Sequence, residues 1–465
     1  MSMLLLASAA LAEPSLEVVI DTARSASPTA QMGADDLAIA DHSIGMVVST
    51  LLPRISASSR DTYRYSSPDK YTFDYSYDGT ECDPSGEDPC IPFIVVEGQV
   101  VLPYESWSRS RSLSGSQTLS VDPVMDLLQQ RQRRVSTEIQ VRSEEESLIF
   151  ELISAYTDLQ YQRGLRDITL ESIALAEEME AAIAGQHAVG EVTDLDLDSA
   201  RQDTAEARLD LLQLDRAIPL SLADMAQLSG AGALASMAVC DFGAPLDVGG
   251  DMDVTGATST ARLQSTHDLE ALGKQAGWLE LVPDLSLSAG VTSTGSGETY
   301  DALSDDTAFD SWYVGLSLST TLFDGGAGYH QRRSNAVSLH RAQVDLASGQ
   351  ESLELDDREL AQSLLEMSEE AEMIAVSIAL SERNVVATAA RYLDGGQVPL
   401  QAYTQARSSH EQLLQQRLAI QAEQQILTAV RWISAGHTDA LLDGLFDTEG
   451  DLAAAGRCRT LPIQD

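Results

Sequence analysis

The chain has 465 residues, 29 of them basic and 72 acidic, for a formal charge of -43. That balance excludes nucleic-acid binding, which needs a basic face to meet phosphates, and docking on an anionic leaflet. It fits a solvated exterior or a cation-favouring channel, and the general acidic bias of salt-adapted proteins fits it equally well.

Residues 1–12, MSMLLLASAALA, have an apolar core and a small-x-small end, Ala10-Leu11-Ala12, before Glu13. This is the pattern of a secretory signal peptide; a short apolar helix is the alternative. No cysteine follows it, so a lipid-anchored N-terminus is not expected. No later segment runs to about 18 consecutive apolar residues, so no transmembrane helix is expected. A secreted chain of this kind is soluble or spans a membrane as a closed barrel.

Residues 15–50 read as a helix, with Leu16, Val19, Ile20 and Ala23 at helical spacing, ended by Pro53. A strand follows, with Ile55, Ala57, Tyr63 and Tyr65 on one parity and Arg54, Ser56, Ser58, Arg60, Thr62 and Arg64 on the other. The alternation resumes over residues 71–77, where an aromatic at every second position suits an outer face near a headgroup boundary. A half-buried strand pair in a soluble sandwich is the alternative. Cys82 and Cys90 bracket the turn-rich Asp83-Pro84-Ser85-Gly86-Glu87-Asp88-Pro89, which predicts a local disulfide. Zinc is disfavoured, because no histidine lies near that loop. Cys240 and Cys458 would then pair over a long range. Residues 94–104 are expected to return as the second strand.

From Glu105 the chain reads as helical, with a break at Pro123, and nothing stops it between Ser136 and His187. Leu148, Leu152, Ala155 and Leu159, then Leu165, Ile168, Ser172, Leu175 and Met179, form a heptad-like seam. Fifty residues of helix is roughly 75 Å. A tight turn at 190–193 leads to a second helix over 194–228. Residues 231–257 look irregular, and a helix over 259–279 leads to a repeat of the first motif. Leu51-Leu52-Pro53-Arg54-Ile55-Ser56-Ala57-Ser58 is echoed by Leu281-Val282-Pro283-Asp284-Leu285-Ser286-Leu287-Ser288. Two alternating strands follow, around 285–292 and 312–319, their second face small and polar as a water-filled lumen requires. Helices over 329–393 and 400–434 then flank Gly395-Gly396.

The chain is therefore internally duplicated. Its expected parts are a signal peptide (1–12), a first repeat of helix, strand pair and long helical hairpin (13–230), an irregular linker (231–257), a second repeat (258–436), and a tail (437–465) poorly ordered except near Cys458. Four strands cannot close a barrel, and an open edge is not tolerated in lipid. Several chains must contribute, and three would give twelve strands. The fold class expected is α+β, with a trimeric barrel continued by a long helical coiled coil.

These features resemble the TolC-type outer-membrane efflux family over nearly all of 13–437. The resemblance is carried by Leu51-Leu52-Pro53, Ala155-Tyr156-Thr157-Asp158-Leu159 and Leu322-Phe323-Asp324-Gly325-Gly326. The hairpin turns carry it too: Val189-Gly190 leading to Ala200-Arg201, and Tyr392-Leu393-Asp394-Gly395 leading to Ala406-Arg407. It implies an outer-membrane homotrimer with its helical tunnel in the periplasm. It also implies a periplasmic adaptor (membrane fusion) protein and an inner-membrane RND, MFS or ABC transporter as partners, with outer-membrane lipid around the barrel.

The periplasmic end would be an iris held by contacts between the hairpins. Asp196 and Tyr392 stand where the family has such a contact. The family's second-hairpin arginine and paired lumen aspartates are replaced here by Gln397, Gln401 and Thr404. Asp194 and Asp198 flank Asp196, so negative charge can come from the first hairpin; ordinary helix N-terminal chemistry is the alternative for all three.

No catalytic, cofactor or metal site is expected. The seven histidines are dispersed and the glycine pairs lack a phosphate-loop frame. The function expected is an exit duct passing toxic compounds or, as in type I secretion, polypeptides. The competing reading is a secreted coiled-coil structural or adaptor protein without a pore.

Overall fold

The computed structural model describes residues 15–66, 73–81, 91–98, 104–231, 236–243, 252–279, 282–297, 311–321, 323–393 and 398–462. The signal-like segment 1–12 and the Cys82–Cys90 loop lie outside them. In chain order the elements are α1 (Leu16–Ala26), α2 (Pro28–Thr50), β1 (Arg54–Ser66), β2 (Phe73–Glu81), β3 (Ile91–Gly98), β4 (Tyr104–Leu119), α3 (Asp122–Ala188), α4 (Asp194–Ser229), β5 (Ser236–Cys240), α5 (Thr258–Leu279), β6 (Asp284–Gly297), β7 (Ser311–Ser319), α6 (Ala327–Leu393), α7 (Leu400–Ser434), α8 (Thr438–Ala454) and β8 (Cys458–Pro462). The chain forms two units, one of Ile44–Leu128 with Gln275–Gln331, the other of the remaining segments.

In the first unit, four antiparallel strands form a sheet in the order β1-β4-β6-β7, and β2 pairs with β3 in a separate hairpin. This corrects the expected return strand. Residues 91–98 pair with β2, and β1 is answered by β4, a segment read from sequence as the start of a helix. The register assigns every side chain to a face. Ile55, Ala57, Leu113, Ala289, Val291, Trp312 and Val314 share one. That face is uncovered: Ile55 is 74% exposed, Trp312 77% and Leu316 69%. The other face is a small-polar one, where hydroxyls bond across strands, Ser56 to Ser114, Ser58 to Ser112 and Ser286 to Ser317 at 2.8–2.9 Å. The Tyr313 ring lies over Gly290, where a Cβ would stand 2.7 Å from it, so a side chain there would have to displace the ring.

The second unit is helical and shows the duplication in its dimensions. Helices α3 and α6 each have 67 residues, and α4 and α7 have 36 and 35. Helix α4 ends at Gly230 (φ 69°), where a Cβ would meet the Ala26 carbonyl oxygen at 2.6 Å. The end of α7 repeats this: Gly436 (φ 82°) would meet the Gly256 carbonyl oxygen at the same distance. Only glycine takes both a left-handed backbone and so close an approach. The expected single helix over 15–50 is broken at the matching place. Ser27 is extended and its Oγ accepts the Ala30 N–H (3.1 Å), capping α2 with Pro28 in the first turn.

The main core lies among α1, α3, α4, α7, α8 and β5. Leu16, Ile20, Leu152, Leu159, Leu222, Met225 and Met237 are fully buried there, and Leu441 of α8 nearly so. The tail is thus ordered from 438 to 462, contrary to expectation. Its Leu441, Leu442 and Leu452 form the buried stripe of α8, and β8 pairs with β5, the strand that interrupts the supposedly irregular linker. Cys240 and Cys458 face each other in that pairing and form a disulfide.

Helix α6 contains an 18-residue stretch of mean hydropathy 1.2, apolar enough by length and composition to cross a membrane, of which 17% is buried. The sequence reading sought an unbroken apolar run and expected none. What α6 has instead is an exposed stripe, with Met373, Val376 and Leu380 spaced by three and four residues.

Candidate functional site at the hairpin turns

Each hairpin turn is built from local chemistry. Between α3 and α4, Gly190 takes a left-handed backbone (φ 81°) and Thr193 caps α4. Its Oγ1 accepts the Asp196 N–H at 3.2 Å, and the Asp196 carboxylate accepts the Thr193 N–H at 3.1 Å, a reciprocal capping box. In the second hairpin, Pro399 precedes Leu400, the first residue of α7.

Near these turns the two hairpins share one apolar cluster. Met179, Ile183, Leu197 and Ala200 of the first pack with Val385, Tyr392, Leu400, Tyr403 and Ala406 of the second. Asp196 and Tyr392 are brought to this cluster together, close enough for the Asp196 charge to add to the burial that pushes the Tyr392 phenol up. They form no hydrogen bond to each other within the chain. Within the chain the Tyr392 hydroxyl is buried without a hydrogen-bond partner, because the Asp196 carboxylate is turned to Thr193.

The other expected residues lie apart. Asp194 meets His187 (Oδ1 to Nε2, 2.6 Å) at the surface, and Asp198 lies 3.6 Å from Arg201, within its own helix. Gln401 is exposed, and Thr404 bonds only back to the Gln401 carbonyl (3.1 Å). Gln397 is outside the described residues. Among the described residues no cluster of His, Cys, Asp or Glu could hold a metal ion.

Sequence reasoning missed the polar link between the hairpins. Arg407 of α7 reaches Asp203 of α4 at 4.0 Å, both largely buried, with Tyr403 beside them. Burial pushes the Asp203 carboxyl up, Arg407 draws it back down, and Glu206 adds to the rise. Burial also pushes the Tyr403 phenol up, with Arg407 opposing. The Arg407 Nε is buried with no partner. One further bond crosses nearby, Ser172 to Glu411 (3.3 Å), while Ser381 to His410 (2.7 Å) joins α6 to α7 within the second hairpin. The duplication carried a signal for this site. Arg201 and Arg407 each follow a buried alanine, Ala200 and Ala406, yet Arg201 turns to Asp198 and Glu180 while Arg407 crosses to the other hairpin.

No protein-family model matches the chain, and no curated protein does. Solved structures do. The chain is similar to CusC, a protein that forms a transmembrane channel, at 13% identity and a TM-score of 0.73 over 90% of this chain and 92% of that one. It is similar to the outer membrane protein VceC of Vibrio cholerae at 14% identity, TM-score 0.70, over 90% and 96%. It is similar to the CmeC outer membrane channel of Campylobacter jejuni at 14% identity, TM-score 0.71, over 95% and 90%. The chain therefore has the fold of these outer-membrane channels.

Proposed function

We propose that this chain is the outer-membrane exit duct of a tripartite export system, working as a homotrimer. The observation that carries the reading is the four-stranded sheet, with an uncovered apolar face, a hydroxyl-lined opposite face, and two open edges at β1 and β7. In water that face would aggregate, and in lipid the edges would leave backbone groups unpaired. Three copies edge to edge remove both faults: twelve strands close a barrel, with the apolar face to lipid and the serine face to water. The exposed stripe on α6 is then covered by the neighbouring copy. A periplasmic adaptor and an energised inner-membrane transporter would drive the cargo. The fold similarity favours this over a pore-free coiled-coil or adaptor protein. Fractionation tests it: the protein should stay with the outer membrane after salt washing, and recovery in the soluble periplasm would refute it.

Closure at the hairpin end rests on Arg407, Asp203 and Tyr403. Arg407→Ala leaves the Asp203 carboxylate half-buried and alone, at a cost of about 1–3 kcal/mol per chain. Acting in three chains, this should shift the balance towards the open state. The expected result is a higher single-channel conductance in planar bilayers, with Tyr392→Phe unchanged because that hydroxyl bonds nothing in the chain. Unchanged conductance in a trimeric Arg407→Ala variant would place the closing contact elsewhere.

A further inference from the structure

A cavity of about 80 Å³ lies among α1, α3, α7, α8 and the segment after β5, away from the hairpin turns. One water needs roughly 10–15 Å³ on this measure, so the space suits a molecule of several heavy atoms. Leu16, Leu441, Leu445 and Leu452 supply one aliphatic wall, and the rest is mainly polar, with three glutamines of α7 and Asp241 among it. Its polar groups are unevenly matched. Gln160 is 6% exposed; its amide donates to the Cys240 carbonyl (3.2 Å), which leaves Oε1 buried and unpartnered. Glu449 also lines the cavity, and its Oε1 is likewise buried and unpartnered.

No lysine, arginine or histidine is among the residues lining the cavity. The Arg163 guanidinium, three residues along α3 from Gln160, is held by the Val239 carbonyl and the Asp241 carboxylate. The Tyr156 hydroxyl accepts the Cys240 N–H (3.2 Å) and is also hydrogen-bonded to the Glu449 carboxyl. Burial, with Glu17 adding to it, holds that carboxyl above the usual range although Tyr156 and the Leu16 amide oppose the rise. Two unpartnered acceptor oxygens, one of them a carboxylate's, facing a wall of leucines define a complement: a compact multiple donor, positively charged, with a short apolar body.

We propose that this cavity is a binding site for a small primary ammonium carrying a short alkyl group. The ammonium donates to Glu449 Oε1 and Gln160 Oε1, and the alkyl group lies against the leucines. The site does not depend on the duct reading, since it is formed within one chain and needs no pore.

The test is a calorimetric titration of the detergent-solubilised protein with n-butylammonium chloride at about pH 8, with sodium chloride and 1-butanol as controls. The expected result is saturable binding of one butylammonium per chain, at least about tenfold tighter than 1-butanol, and no response to sodium chloride. Glu449→Gln should weaken it by at least about tenfold while melting no lower than the parent without ligand, because a buried carboxylate is removed. Leu445→Trp, which fills the space, should abolish binding. If Glu449→Gln fails to assemble, the preference of the parent for butylammonium over 1-butanol decides. No saturable binding, equal binding of 1-butanol, or unchanged binding by Glu449→Gln would each overturn the proposal and leave a water-filled cavity.

Discussion

Arg431→Leu is expected to be the most damaging single substitution outside the sheet. The Arg431 side chain is fully buried, and its Nε and Nη2 donate to the two oxygens of Asp357 at 2.7 and 3.2 Å. Asp357 also accepts the Met252 N–H at 3.2 Å, tying α6 and α7 to the segment before α5. Removing one partner of such a pair strands a buried charge and costs about 3–5 kcal/mol. Replacing both with apolar residues of similar volume should recover most of that loss, though not all, since the Met252 amide loses its acceptor.

Thermal melting of the solubilised protein checks the order: parent, then Arg431→Leu/Asp357→Leu, then Arg431→Leu. The pH dependence has a definite sign. Burial opposes ionisation of Asp357, but Arg431 and the Met252 amide outweigh it and hold the carboxyl below its ordinary value. The contribution is therefore present above the unfolded carboxylate value and fades as pH falls through the lower folded one. An Arg431→Leu variant as stable as the parent would show that the pair is replaceable.

Cys458→Ser should have the second largest effect, and a local one. The disulfide closes a loop with a sequence separation of 218 residues. The chain-entropy relation gives about 5 kcal/mol for such a loop, and measured losses for native bridges run at about 2–5 kcal/mol. The loss should fall on β8 and α8, which reach the core through Leu441 and Leu442. Limited proteolysis should then cut between α8 and β8 in the variant and not in the oxidised parent, with the hairpins intact in both. Equal cutting of parent and variant would mean that strand pairing alone holds the tail.

Much of this architecture was legible because it is periodic. The seam through Leu148, Leu152 and Leu159 is the buried face of α3, and the paired Leu-Pro and Val-Pro motifs do precede β1 and β6. Strand β4 was misread although its serines alternate strictly from Ser106 to Ser114. Its other face carries Arg109 and Arg111 among the apolar residues, and an interrupted apolar face looks helical. Arg109 is accommodated there by Asp61 of β1 at 2.9 Å, next along the strands to the tilted ring pair of Tyr63 and Trp107. The order in the tail was missed because residues 437–465 are rich in small and acidic residues, which mask the leucines of α8, the strand β8 and the disulfide that dock it. The link through Arg407 and Asp203 joins residues far apart in sequence, and no local pattern marks which arginine of a duplicated pair will cross.

The most direct test of the central claim is the mass of the protein in mild detergent, with the detergent contribution subtracted. Open edges on a four-stranded sheet require partners, and the barrel that satisfies them has twelve strands. The account predicts a single species of about three times the chain mass of 49.9 kDa, less any cleaved signal peptide. A monomer that stays soluble without detergent would contradict it.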